Sequence, residues 1–89
     1  MHTPAVTLIV SESEHGLQEN QEGRVAFVAG KKNGNAVWRN AAKRRMREVY
    51  RRLPAEYVQG RDIIFLAKGK ILSFSFAKVV ADCERGLSR

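Results

Sequence analysis

A single cysteine, Cys83, and two histidines, His2 and His15, are all the thiols and imidazoles in this 89-residue sequence. One thiol excludes an intramolecular disulfide and any cysteine-based zinc cage. Cys83 falls on the apolar face of a helical repeat, far in sequence from either histidine, so nucleophilic catalysis has no support. His2 and His15 share no helical or strand spacing and read as solvated side chains. Apolar runs are short as well, and none approaches the ~20 residues needed to cross a bilayer. The opening MHTPAVTLIVSESE lacks a basic n-region and a long enough apolar stretch for a signal peptide. A reduced, cytoplasmic setting away from the membrane is therefore expected. The run Gly30-Lys31-Lys32-Asn33-Gly34 misses the phosphate-loop pattern, which needs Lys then Ser or Thr after the second Gly. Glu12, Glu14, Glu19 and Glu22 share one stretch, where a solvated acidic loop is the plain reading and a weak cation site the remote one. No active site, metal site or protein-bound cofactor is expected.

Acid is the scarce charge, with nine Asp and Glu against sixteen Lys and Arg, a net charge of +7 and a pI near 10.2. The excess is local. Residues 31–52 hold nine Lys and Arg (Lys31, Lys32, Arg39, Lys43, Arg44, Arg45, Arg47, Arg51, Arg52) against Glu48 alone, so this quarter carries +8 and the remainder −1. That is the electrostatic footprint of a polyanion partner.

The chain length suits one domain, 1–89. Pro4–Val10, Arg24–Ala29 and Asp62–Ala67 are short, apolar and β-branched, and read as strands. The last two are apolar on both faces, which suggests cover on two sides. Ser11–Gly23 reads as a polar surface connection between antiparallel strands. A helix is expected from about Asn35 to Leu53, stopped by Pro54. With Trp38 at zero, Val49, Ala42, Leu53, Met46 and Tyr50 fall at roughly 20 to 120°. Arg39, Lys43, Arg47, Asn40, Arg51 and Arg44 occupy roughly 100 to 240° on the same wheel. An apolar stripe thus runs beside a basic one, with Arg45 and Arg52 at the other edge, placed to snorkel. A last helix is expected over Phe76–Leu87, capped by Ser75, with Phe76, Val79, Val80, Cys83 and Leu87 on one face. The sum is an α+β domain: a small sheet of three to four strands packed with a basic helix and a C-terminal helix.

Arginine forks suit phosphate oxygens and lysine supplies a mobile charge, while Asn35 and Asn40 add neutral groups for a 2′-hydroxyl or base edge. Gly34 is expected to allow close backbone approach at the start of the helix, where Lys31 and Lys32 also converge.

The block Lys31-Lys32-Asn33-Gly34-Asn35-Ala36-Val37-Trp38-Arg39-Asn40-Ala41-Ala42-Lys43-Arg44-Arg45-Met46-Arg47-Glu48 closely resembles the signature KKxGNAVxRNxxKRxxRE of the bacterial ribonuclease P protein component. Arg24–Phe27, Asp62–Ala67, Leu72–Ala77 and Ala81-Asp82 resemble the flanking strands and the final helix, so the likeness spans about residues 5–87. The resemblance implies a left-handed crossover through the basic helix. It implies a protein subunit that binds the catalytic RNA and assists removal of the 5′ leader from precursor tRNA. The RNA with magnesium would carry the hydrolysis, and no residue of this chain would. Lys31, Lys32, Asn35, Arg39, Asn40, Lys43, Arg44 and Arg47 align with the family's RNA-facing motif. Asn33 stands where an apolar residue is common, and Ala41 where a basic one is. Family members usually begin with a basic, aromatic helix that walls a cleft for the leader, and Met1–Pro4 cannot supply it. Either the chain is truncated or the cleft is short of one wall, and an uncovered sheet face that invites self-association is expected. Two other readings stand beside this one: a basic RNA-binding module without processing activity, such as a ribosome-associated one, and an enzyme in its own right.

Overall fold

The computed structural model describes residues 1–12 and 24–88. Its elements are β1 (Val6–Glu12), β2 (Val25–Val28), α1 (Ala36–Arg52), α2 (Ala55–Val58), β3 (Arg61–Ala67) and α3 (Phe76–Leu87), with 3-10 turns at Lys31–Asn33 and Ile71–Ser73. The sheet has the order β1-β3-β2. β1 pairs antiparallel with β3 from Val6 opposite Ala67 to Glu12 opposite Arg61. β2 pairs parallel with β3 from Val25 opposite Ile63 to Val28 opposite Leu66, so α1 sits in a crossover between adjacent parallel strands. His2 bridges to Thr7 as an isolated pair and adds no fourth strand among the described residues.

Three expectations change. β1 and β2 run in opposite directions, but they are not neighbours, because β3, apolar on both faces, takes the centre. Ser11 and Glu12 belong to β1, since backbone pairing with Asp62 and Arg61 carries the strand past its apolar run. The rest of the proposed connection, 13–23, lies outside the described residues. The sheet is also not covered alike on both sides. Ile63, Phe65 and Ala67 join the core with Val6 and Leu8, whereas the alternate residues Ile9, Val28 and Ile64 remain 49%, 43% and 36% exposed. Period-two alternation therefore separates two faces of similar apolarity but very different burial.

The helices form where local chemistry starts and stops them. The Asn35 side-chain oxygen accepts the Trp38 backbone N–H at 3.0 Å, and α1 ends before Pro54 with the Leu53 N–H donating to the Tyr50 carbonyl. Ala42, Met46 and Val49 are its buried residues. The Ser75 hydroxyl accepts the Lys78 N–H at 3.2 Å to start α3, which buries Val79, Cys83 and Leu87. The turn α2, absent from the sequence reading, reaches β3 through Gly60 at φ 75°, a left-handed conformation that glycine adopts without strain. Arg61 then donates to the Tyr57 carbonyl at 3.1 Å and the Leu87 carbonyl at 2.9 Å, tying the ends of α2 and α3 to the sheet. Phe27, Tyr50 and Phe65 join β2, α1 and β3 at centroid distances of 5.3 to 6.2 Å, each contact worth about 0.5–1.5 kcal/mol beyond its buried area.

Candidate nucleic-acid interface

Because Ala42, Met46 and Val49 face the core, with Trp38 and Tyr50 packed beside them, the opposite side of α1 faces out. Asn40, Arg44, Arg47 and Arg51 are exposed, and Arg39 and Lys43 half-buried. Lys31 and Lys32, also exposed, stand on the 3-10 turn just before the helix. The eight residues expected from sequence are thus brought onto one end and one side of α1. From Arg39 to Arg47 the cationic row spans about 12 Å of helix axis.

Among the described residues no acid forms an ion pair with this surface. The ion pairs among the described residues are Arg24–Asp62 at 4.0 Å, Lys78–Asp82 at 3.2 Å and Arg85–Asp82 at 3.8 Å, and none involves α1. Aromatic rings steer some of its guanidinium groups instead. Arg47 lies 5.9 Å from the Phe27 centroid, and Arg45 and Arg52 lie 5.9 and 5.7 Å from that of Phe76. Arg45 also donates to the Phe74 carbonyl at 3.3 Å, so this residue of the basic block works within the protein. Arg45 and Arg52, expected to snorkel, instead bring their guanidinium groups to the same Phe76 ring. The Arg39 Nε is buried without a hydrogen-bond partner, a donor still lacking an acceptor, and such a group costs about 1–3 kcal/mol.

Two expected residues also have structural parts. Asn35 is the cap of α1, its oxygen accepting the Trp38 N–H while its amide NH2 makes no part of that cap. Gly34 is extended, at φ 172°, and a β-carbon there would lie 2.8 Å from Trp38 Cβ, Cγ and Cδ2. The half-buried indole is itself a close approach that demands glycine here. Asn33, where the resemblance favours an apolar residue, donates from Nδ2 to the Ala67 carbonyl at 3.4 Å and ties its turn to β3.

Catalytic chemistry is not assembled among the described residues. Cys83 is buried, and its thiol is pushed up to about 12 by that burial and, secondarily, by the Asp82 charge. His2 Nδ1 lies 3.0 Å from the Thr7 hydroxyl, and His15 falls outside the described residues. No group of three His, Cys, Asp or Glu residues could hold a metal ion, again among the described residues. No helix among them is long and apolar enough to cross a membrane.

Fold and surface together define a small α+β protein built around a basic helix that forms no ion pair among the described residues. The chain belongs to the ribonuclease P protein family, whose model, described as Ribonuclease P, matches residues 1–89. It is 42% identical over 87 residues to the ribonuclease P protein component of Natranaerobius thermophilus, covering 98% of this chain and 68% of that one. It is 36% identical to that of Caldanaerobacter subterraneus subsp. tengcongensis, covering 84% and 62%. The chain thus spans about two thirds of the length of these relatives. The RNase P proteins of Thermotoga maritima (TM-score 0.71, 21% identity, 98% and 78% covered) and Staphylococcus aureus (TM-score 0.70, 21% identity, 99% and 76% covered) share its fold.

Proposed function

We propose that this chain is the RNA-binding subunit of ribonuclease P, which assists a catalytic RNA in removing the 5′ leader from precursor tRNA. The observation that carries this reading is the cationic face of α1, formed by residues of the family signature and without an ion pair among the described residues. In this reading Lys31, Lys32, Arg39, Lys43, Arg44 and Arg47 contact phosphates, and Asn35 and Asn40 contribute neutral hydrogen bonds. Each phosphate neutralised releases condensed counterions, so association is strong at low salt and falls steeply as salt rises. Hydrolysis belongs to the RNA and its magnesium ions; the protein binds and positions. Apolar side chains on the outward sheet face, Ile9, Val28 and Ile64, provide the contact for self-association of the free protein.

Reconstitution with a bacterial ribonuclease P RNA tests the reading. The complex is expected to cleave precursor tRNA at low magnesium, where the RNA alone is slow. Equal rates with and without the protein refute it, and cleavage by RNA-free protein would move catalysis into the chain itself.

A further inference from the structure

Parallel pairing of β2 with β3 has a consequence at their carboxyl ends. The strands are in register to Val28 and Leu66, so the chain leaves the sheet on the same side at Ala29 and Ala67. The turn Lys31–Asn33 after β2 therefore meets Lys68-Gly69-Lys70 after β3. Asn33 donates to the Ala67 carbonyl at 3.4 Å, and a β-carbon on Gly69 would lie 3.7 Å from Asn33 Oδ1. Four lysines from distant parts of the sequence thus stand on touching turns, with Lys31, Lys32 and Lys70 exposed and Lys68 half-buried.

Nothing in either segment offsets their charge. Residues 24–47 and 63–81 contain no Asp or Glu, and none of the ion pairs among the described residues includes these lysines. Both turns are also held by backbone bonds. The Asn33 N–H donates to the Gly30 carbonyl at 3.3 Å, Lys68 N–H to Ala5 at 2.9 Å, and Ile71 N–H to Lys68 at 3.0 Å. The ammonium groups thus extend from fixed points.

We propose that Lys31, Lys32, Lys68 and Lys70 form one phosphodiester-binding cluster at the carboxyl end of the parallel pair. The RNA-binding surface then turns from α1 onto the end of the sheet and includes two residues outside the basic block. The proposal rests on the RNA-binding reading above. Lysines offer point charges without the planar fork that reads base edges, so the cluster positions RNA regardless of sequence.

The test is Lys68→Ala/Lys70→Ala in the full chain, titrated across salt against a bacterial ribonuclease P RNA. A second titration uses precursor tRNA, with and without a leader, against the assembled complex. Both substitutions keep the backbone bonds of the turn, and a circular dichroism melt verifies the fold. Losing two phosphate contacts makes the log–log salt slope shallower by about 1.8. Between about 50 and 200 mM salt the variant then loses roughly 12-fold less affinity than the parent. A shallower slope with the catalytic RNA supports the cluster and assigns its phosphates to that RNA, and one seen only with leader-bearing precursor supports it and assigns them to the substrate. A parental slope in both titrations overturns it. Arg44→Ala/Arg47→Ala separates the two readings: if its slope falls while that of the lysine variant does not, the cluster alone fails, and if neither falls the RNA-binding reading fails too.

Discussion

On the outer side of α3 the charges close on themselves, with Asp82 holding Lys78 at 3.2 Å and Arg85 at 3.8 Å. On α1 they do not. That helix carries Arg39, Lys43, Arg44, Arg45, Arg47, Arg51 and Arg52 against Glu48, and none of them is ion-paired among the described residues. Arg39, Lys43, Arg47 and Arg51 even follow one another at i,i+4, where each like-charge pair costs about 0.2–0.5 kcal/mol. Both helices bury three side chains at helical spacing, so the core does not explain the difference. A helix whose task ends at the core neutralises its own surface. α1 keeps an unfavourable surface in the free protein, which a polyanion relieves.

The strongest way to break this comparison is charge reversal on the exposed part of α1. Arg44→Glu/Arg47→Glu/Arg51→Glu is expected to weaken RNA binding by at least about a hundredfold near 150 mM salt. Its thermal melt should hold or rise, because the repulsive row is interrupted. Filter binding and circular dichroism read the two effects separately, and a melt that collapsed with binding would show these arginines to be structural.

Trp38→Ala probes the apolar side of the same helix. The indole is half-buried over Gly34, so the cost should be about 2 kcal/mol, roughly half that of a fully buried tryptophan. Urea unfolding measures it. The RNA affinity of the folded variant should stay at the parental value, and a loss of affinity at an unchanged salt slope would place Trp38 in the interface.

Asp82→Asn on α3 is expected to have the smallest effect, a loss of about 0.5 kcal/mol that shrinks at high salt, with RNA affinity essentially unchanged. A large gain in affinity would mean that α3, now more basic, also faces RNA.

The limits of α1 and α3 were legible because their causes lie within a few residues of sequence: the caps at Asn35 and Ser75, the stop at Pro54, and apolar spacing at three and four. The basic face was legible for the same reason, since once Ala42, Met46 and Val49 turn inward, Arg44, Arg47 and Arg51 turn out. Burial of Trp38 was less so, because a wheel gives direction but not depth, and depth depends on what lies opposite. Asn35 shows a related limit: one side chain fits both a cap and a ligand contact, and the Trp38 N–H claims its oxygen.

The sequence by itself determined α1 and α3, the placement of charge along them and the family, because capping, periodicity and a contiguous motif act over short separations. Tertiary structure alone decided that β3 lies between β1 and β2, and that Lys68 and Lys70 stand beside Lys31 and Lys32. Those outcomes depend on which strand pairs with which across more than thirty residues of chain, as Val28 with Leu66 shows. Strand pairing is set by backbone hydrogen bonds and shared burial, and neither leaves a local mark on the residues that carry it.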